Sequence, residues 1–300
     1  QALITGAHQK GFELIFGGIV PTPGLNVFAK HHQSGGIMVT GSHLKGGYNG
    51  IKFFLGNREV INVDEQTIEQ YYEEQKKESV DASALIELPQ VDSACRELYK
   101  KALLSKAKDY TGITIVVDAG FGTQQYIMPD VLPVNNGCTH KLHCATEGFT
   151  GVDTEMSDGF DEVKKKVVSV GANLGVIYDS DGDRSIYVDH EGTLVSGDVI
   201  GALIAKHLTF ETIVAPINTS SVIDHIGKKI IRTKVGSPPI VEIMLRQNLP
   251  FGFEGNGGLI FADHIYSRDG GITTVYVLNI MKETGKSLKD AQDIFKKSYV

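Results

Sequence analysis

No stretch of the 300 residues stays apolar for the roughly 18 positions a bilayer-spanning helix needs, so a membrane is not an expected partner. There is no Lys/Arg-rich run either. The net charge is −7, which argues against nucleic acid as the main partner. An anionic ligand would have to be held locally, by a bound cation, helix N-termini or a few lysines and arginines. Cysteine is scarce. Cys95, Cys138 and Cys144 form an odd, low set, and with no secretory signal they fit a reducing cytosol. A charged-then-apolar targeting segment is missing, and the chain opens on Gln1-Ala2-Leu3 rather than methionine, so it reads as starting inside something longer. Short-period repeats and low-complexity tracts are also absent. What is present is ordinary for a globular chain, 41% hydrophobic and 22% charged. The length allows two or three domains, each able to bury a core without a disulfide or metal staple.

Strand-like segments alternate with helix-like ones. Gly36–Thr40, Ile113–Ala119, Leu174–Tyr178, Ser185–Asp189, Thr212–Pro216, Ile230–Val235 and Leu259–Ala262 read as strands. Asp64–Lys77 reads as an amphipathic helix with Asp64 as N-cap, its Tyr71-Tyr72 pair expected in the core. Val91–Lys108, Phe160–Val170, Ser221–Gly227, Pro238–Gln247 and Gly271–Glu283 read as further helices, and Ser287 with Asp290 as the start of a last one. This rhythm predicts an α/β fold of three consecutive units, 1–88, 89–190 and 191–300, with mixed, mostly parallel sheets and helices on both faces. Ligands in such sheets bind at the strand carboxyl ends, so the polar turns there deserve scrutiny and the cleft between units is the expected active site.

One such turn is Asp179-Ser180-Asp181-Gly182-Asp183-Arg184, with carboxylates at every second position. Alternate side chains of an extended backbone share one side, and three carboxylates brought together repel unless a cation sits between them. Hard oxygen ligands select magnesium or calcium. An EF-hand loop is excluded, because Arg184 and His190 stand where it needs Gly and Glu. With three protein carboxylates the ion would keep open positions, which is magnesium's habit. The alternative is a solvated turn using Asp and Gly for their backbone freedom.

A second turn, Thr40-Gly41-Ser42-His43, follows a strand and could carry a nucleophile. It is neither a hydrolase elbow, since Thr40 and Leu44 replace the required glycines, nor a P-loop. Together with Tyr48-Asn49-Gly50-Ile51-Lys52 it resembles the phosphoserine loop of the α-D-phosphohexomutases. The acidic turn is similar to that family's magnesium loop, Arg232-Thr233-Lys234-Val235-Gly236 to a segment of its third domain, and Phe253-Glu254-Gly255-Asn256-Gly257-Gly258 to its sugar-specificity loop, in a form closest to archaeal members. Arg268-Asp269-Gly270-Gly271 also fits.

The resemblance implies a phosphohexomutase that interconverts hexose 1-phosphate and hexose 6-phosphate through a phosphoserine at Ser42 and a hexose 1,6-bisphosphate intermediate. Magnesium would be held by Asp179, Asp181, Asp183 and a phosphate oxygen on Ser42. His43 and Arg184 would meet the travelling phosphate or sugar oxygens, Lys52 would sit beside the phosphoserine, and Lys234 would be an acid/base or substrate contact. Glu254 and Asn256 would bind sugar hydroxyls, with Thr233, Gly236 and Arg268 as further substrate contacts. A monomer or homodimer is implied. The sequence departs from the family at Leu44-Lys45 and at Asn256-Gly257-Gly258, and an N-terminal edge and a fourth, phosphate-clamping domain are not seen. Two other readings are a non-catalytic member that binds magnesium and sugar phosphate, and a sugar phosphatase using the same site.

Weaker signals have plainer explanations. The Cys138–Cys144 stretch matches no common zinc spacing and reads as a surface loop. Asp118-Ala119-Gly120-Phe121-Gly122 lacks the third glycine of a dinucleotide loop, since Gln125 stands there, and reads as a strand-to-helix turn. His31-His32 and His207 read as helix or surface histidines.

Overall fold

The computed structural model describes residues 1–42, 48–76, 85–134, 136–145, 152–155, 159–293 and 295. The first unit contributes α1 (Ala2–Gln9), α2 (Thr22–His32), β1 (Gly35–Thr40), β2 (Gly50–Leu55), β3 (Arg58–Glu59) and α3 (Asn62–Gln75). β1 and β2 form an antiparallel hairpin in which Thr40 pairs with Gly50 and Gly35 with Leu55. Alternation decides its faces. Met38 and Phe54 turn toward α2, and Ile37, Val39 and Ile51 on the other face stay exposed. α3 begins two residues before its expected cap. Asp64 serves from inside the first turn instead, accepting the Ile61 N–H (2.9 Å) and pairing with Arg58. Ile68 leans on the neighbouring cleft, but Tyr71 and Tyr72 are 64% and 67% exposed, so the pair is not core packing.

The second unit runs α4 (Ala94–Leu104), β4 (Thr114–Asp118), a 3-10 turn (Thr123–Tyr126), α5 (Met128–Val134), β5 (Cys138–Leu142), α6 (Asp161–Val170), β6 (Leu174–Tyr178), β7 (Ser185–Asp189) and β8 (Leu194–Val195). Its sheet has the order β5-β4-β6-β7-β8, parallel across the first three strands and antiparallel across the last three. β4, β6 and β7 are buried nearly throughout, as expected for central strands covered on both faces. Cys138–Leu142 is thus an edge strand rather than a loop, and the Asp118–Gly122 segment is the expected turn after β4.

The third unit holds α7 (Gly197–His207), β9 (Thr212–Pro216), a second 3-10 turn (Ser221–His225), β10 (Lys229–Thr233), α8 (Ser237–Gln247), β11 (Phe251–Phe253), β12 (Leu259–Phe261), β13 (Ile265–Arg268), α9 (Gly270–Thr284) and α10 (Leu288–Asp293). Ser287 and Asp290 exchange hydrogen bonds in front of α10, the capping box their spacing predicts. The strands order as β13-β12-β11-β9-β10, and β13 joins β3 of the first unit through Tyr266 and Arg58, making one eight-stranded sheet. The parallel pairs in the described residues are β4–β5, β4–β6, β9–β10, β9–β11 and β3–β13.

One apolar cluster runs through the second and third units. α7 buries Ile200, Leu203 and Ile204, and α9 buries Ile272, Val275 and Leu278 against Tyr178, Tyr187 and Phe253. Each such side chain contributes roughly 1.5–3 kcal/mol when fully buried. This shared core sets the ends of β6, β7, β11 and β13 side by side.

Candidate active site

The acidic turn is the hairpin loop between β6 and β7, closed by the Tyr178–Ser185 pair. Gly182 N–H donates to the Asp179 carbonyl (3.1 Å), and Gly182 adopts φ +72°, which a side chain would strain. The tight turn throws Asp179, Asp181 and Asp183 inward, where all three are at most 3% exposed and one ligand oxygen from each lies within 4.8 Å of the others.

Each carboxylate is anchored through one oxygen. Asp181 Oδ2 accepts from Thr22 Oγ1 (2.8 Å), Thr40 Oγ1 (3.1 Å) and Lys52 Nζ (2.6 Å). The Thr22 N–H, at the positive end of α2, donates to the Asp181 carbonyl (2.9 Å). Asp183 Oδ2 accepts from Lys52 Nζ (2.8 Å) and Arg268 (3.0 Å), and Asp179 Oδ1 from the Arg184 N–H (3.1 Å). The other oxygens, Asp179 Oδ2, Asp181 Oδ1 and Asp183 Oδ1, are buried without a hydrogen-bond partner among the described residues. Buried carboxylate oxygens are costly when unsatisfied. Three buried carboxylates clustered in this way, each fixed through one oxygen and leaving the other without a hydrogen bond, are a donor set that fits a hard divalent cation.

The electrostatics agree. Burial, then the charges of Asp183 and Asp181, raises the Asp179 carboxyl well above the usual range. Asp183 is also opposed by burial, but Arg268, Lys52 and Arg184 outweigh this and hold it ionised. Burial likewise works against charge on Lys52, and Asp183 with Asp181 more than restore it. The Arg184 side chain lies over the turn, 3.9 Å from Asp179 and 3.8 Å from Asp183.

Thr40 links the acidic turn to the serine turn. Its hydroxyl donates to Asp181 and accepts the Ser42 N–H (2.8 Å). Ser42 itself has φ +50°, unusual for a residue with a side chain, so the turn holds it in a sharply bent backbone just beyond β1. His43 lies outside the described residues.

From the third unit, the loop after β11 brings Glu254 and Asn256. Glu254 is buried and accepts from Arg268 (3.1 Å), so Arg268 spans Glu254 and Asp183 with one guanidinium. Arg268 stays charged against burial because Asp183, Glu254 and Glu59 surround it. Two glycines make this fit. A Cβ on Gly257, which has φ +90°, would stand 2.3 Å from the Ser185 carbonyl oxygen, and one on Gly258 would stand 2.4 Å from Arg268 Cδ. Asn256 is half-exposed and its Oδ1 accepts the Gly258 N–H (3.1 Å).

Gly236, at φ +114°, caps the start of α8. With Ser237, Pro238, Arg268, Lys52 and Glu59 it lines an open cleft of about 590 Å³ between the first and third units. Glu59 is pushed up to about 7 by burial, against the pull of Arg268 and a hydrogen bond with Ser237. Lys234 is not brought to the acidic cluster. It is exposed just past β10, and no hydrogen bond or ion pair engages its ammonium among the described residues. Thr233 is buried and its hydroxyl donates to the Lys234 carbonyl.

Sequence reasoning did not single out Thr22, Thr40 or Glu59 as site residues. Thr22 meets its aspartate across 159 residues of sequence, a separation no local pattern reveals.

Comparison with known proteins assigns the units. Residues 1–79, 95–192 and 196–298 match domains I, II and III of phosphoglucomutase/phosphomannomutase, each described as an alpha/beta/alpha domain. A phosphoglucosamine mutase of Limosilactobacillus fermentum is 30% identical over 309 residues, a match covering 97% of this chain and 67% of that protein. A crystal structure of a phosphoglucomutase/phosphomannomutase family protein from Burkholderia thailandensis superposes with a TM-score of 0.80 at 21% identity, covering 97% of this chain and 67% of that one. The Aspergillus fumigatus N-acetylphosphoglucosamine mutase, solved in complex with GlcNAc-6P and magnesium, has a TM-score of 0.64 at 14% identity, covering 98% and 83%.

Proposed function

This chain belongs to the α-D-phosphohexomutases, the phosphoglucomutase/phosphomannomutase family, and we propose that it moves a phosphoryl group between the 1- and 6-hydroxyls of a hexose by way of Ser42. The observation that carries the reading is the set of three clustered, buried carboxylates, each with one oxygen that lacks a hydrogen bond among the described residues, with Asp181 joined through Thr40 to the backbone of Ser42.

Asp179, Asp181 and Asp183 would hold magnesium through those oxygens. When bound, the ion supplies positive charge against which phosphoryl oxygens are stabilised during transfer. The remaining work falls to the chain's own groups. Thr40 fixes the Ser42 turn; the Ser42 Oγ–P bond would break as a sugar oxygen takes the phosphoryl group and gives up its proton, Ser42 Oγ would take a proton in exchange, and the reverse transfer from the other position would restore the phosphoserine. Lys52 and Arg268, both already on Asp183, supply charge to the cleft that receives the sugar phosphate. Arg184 lies over the acidic turn, within reach of the transferring oxygens. Arg268 fixes Glu254, which would accept from sugar hydroxyls, with Asn256 beside it. Gly236 leaves the mouth of α8 open toward the cleft. We assign Lys234, with Thr233, at most a contact made once a sugar is bound.

A magnesium-bound relative solved with GlcNAc-6P is consistent with both ligands. Three unpaired cysteines, one of them exposed, favour a cytosolic setting. Glucose, mannose and glucosamine phosphates are separated by assaying all three 1-phosphates with magnesium and a trace of the corresponding 1,6-bisphosphate. Wild-type protein should isomerise one of them, and Ser42→Ala none. Turnover retained in Ser42→Ala would overturn the phosphoserine route. Release of inorganic phosphate without isomerised sugar would identify a phosphatase.

A further inference from the structure

Behind the acidic turn lies a buried chain of hydrogen bonds that touches neither the residues lining the sugar cleft nor the side chains of Asp179, Asp181 and Asp183. Gly182, between Asp181 and Asp183, has its carbonyl held by Gln124 Nε2 (3.0 Å) and by the Gly270 N–H (3.3 Å) at the start of α9. The same Gln124 amide donates to Tyr99 OH (3.3 Å), and Tyr99 OH donates to Asp269 Oδ1 (2.6 Å). Asp269 also accepts the Ile272 N–H (3.0 Å), capping α9, and its Oδ2 faces His264 Nε2 (2.8 Å). Tyr99 and Gln124 are completely buried, as is Asp269.

The donor directions are forced. Tyrosine has one proton, and a carboxylate that also caps a helix can only accept it, so Tyr99 must accept from Gln124. Both acceptors of Gln124 therefore require its amide nitrogen, and its Oε1 is left buried without a partner among the described residues. That orphan is the mark of a side chain retained for what its nitrogen does. Space is as tight as polarity. A Cβ on Gly182 would meet Gln124 Cγ at 2.6 Å, and one on Gly271 would meet Tyr99 OH at 2.4 Å. Burial and the neighbouring Asp269 raise the Tyr99 phenol well above its usual range, so it remains a donor throughout the working pH range.

We propose that Gln124 and Tyr99 are positioning residues of the metal loop, fixing the peptide between Asp181 and Asp183 and tying it to the first turn of α9, so that cation affinity depends on a relay that never contacts the cation. The proposal rests on the metal reading above. Outer partners that orient metal ligands typically change affinity by about 10–100-fold when removed. The probe is manganese, a spectroscopic stand-in for magnesium with the same preference for oxygen ligands, titrated into the full chain and followed by electron paramagnetic resonance, with thermal unfolding of the metal-free protein measured in parallel. Tyr99→Phe should weaken manganese binding about tenfold. Gln124→Leu should do the same, and the double variant should be little worse than either single one, because one relay is broken once. Gln124→Leu retains the side chain's bulk beside Gly182 and carries the same expectation if Tyr99→Phe does not fold. Variants with a lowered melting temperature and unchanged manganese affinity would assign the relay a purely structural role and overturn the proposal. Wild-type protein that takes up no manganese would overturn the metal reading and the relay with it.

Discussion

Replacing Lys52 with methionine retains most of the side chain's length and removes an ammonium that lies 2.6 Å from Asp181 and 2.8 Å from Asp183. Both carboxylates are almost fully buried, while the lysine side chain is 25% exposed. Removing one partner of a buried ion pair costs about 3–5 kcal/mol, because a charge is left uncompensated. Partial solvation of Lys52 places this case near the lower bound, about 3 kcal/mol at neutral pH in chelator. A divalent cation on the inner oxygens supplies charge to the same carboxylates. Magnesium should therefore stabilise Lys52→Met more than wild type, and its linkage term alone reaches about 2.7 kcal/mol at a hundredfold excess over Kd. Urea unfolding of both proteins, in EDTA and in saturating magnesium, gives the four numbers needed. A variant that unfolds at the wild-type urea concentration in EDTA would refute the electrostatic account. So would magnesium that stabilises wild type as much as the variant.

Two further predictions concern the cleft. Glu59, raised from 4.5 to about 7, adds stability that is fully present below its unfolded value and lost as pH climbs through its folded one. The loss is at most about 3 kcal/mol, and Glu59→Gln should flatten the stability profile between about pH 5 and about pH 8. A wild-type slope surviving in the variant would contradict this. Gly257→Ala meets a backbone oxygen at positive φ and should destabilise by roughly 2–5 kcal/mol. Gly258→Ala meets movable side-chain atoms, the stem of Arg268 and Asn256 Oδ1, so it should cost about 1 kcal/mol or less while weakening hexose-phosphate binding, as the guanidinium leaves Glu254 and Asp183. Equal stability losses in the two alanine variants, measured by urea unfolding, would contradict the assignment.

The strands were the most legible part of the fold. Leu174–Tyr178 and Ser185–Asp189 are apolar runs closed by an acidic turn, and the structure bounds them at those residues. The helix of Asp64–Lys77 was found but misaligned, because a capping carboxylate serves equally well from N3, as Asp64 does. Its tyrosines were misplaced because one apolar residue, Ile68, suffices to seat the helix beside the cleft. Cys138–Leu142 went unread as a strand because an edge position asks for little hydrophobicity. In the site, the aspartates announced themselves by spacing, since two-residue periodicity is a local property. Thr22, Thr40 and Gln124 reach the acidic turn from distant segments, and Tyr99 acts on it through Gln124. Their role comes from packing three units together, which no local window contains.

The claim that Ser42 is the phosphoryl carrier is tested most directly by intact mass and peptide mapping after incubation with magnesium and a hexose 1,6-bisphosphate. The account predicts a single added phosphoryl group, located on Ser42 and discharged by the cognate sugar monophosphate. A folded, magnesium-loaded protein with no phosphate on Ser42 would contradict it.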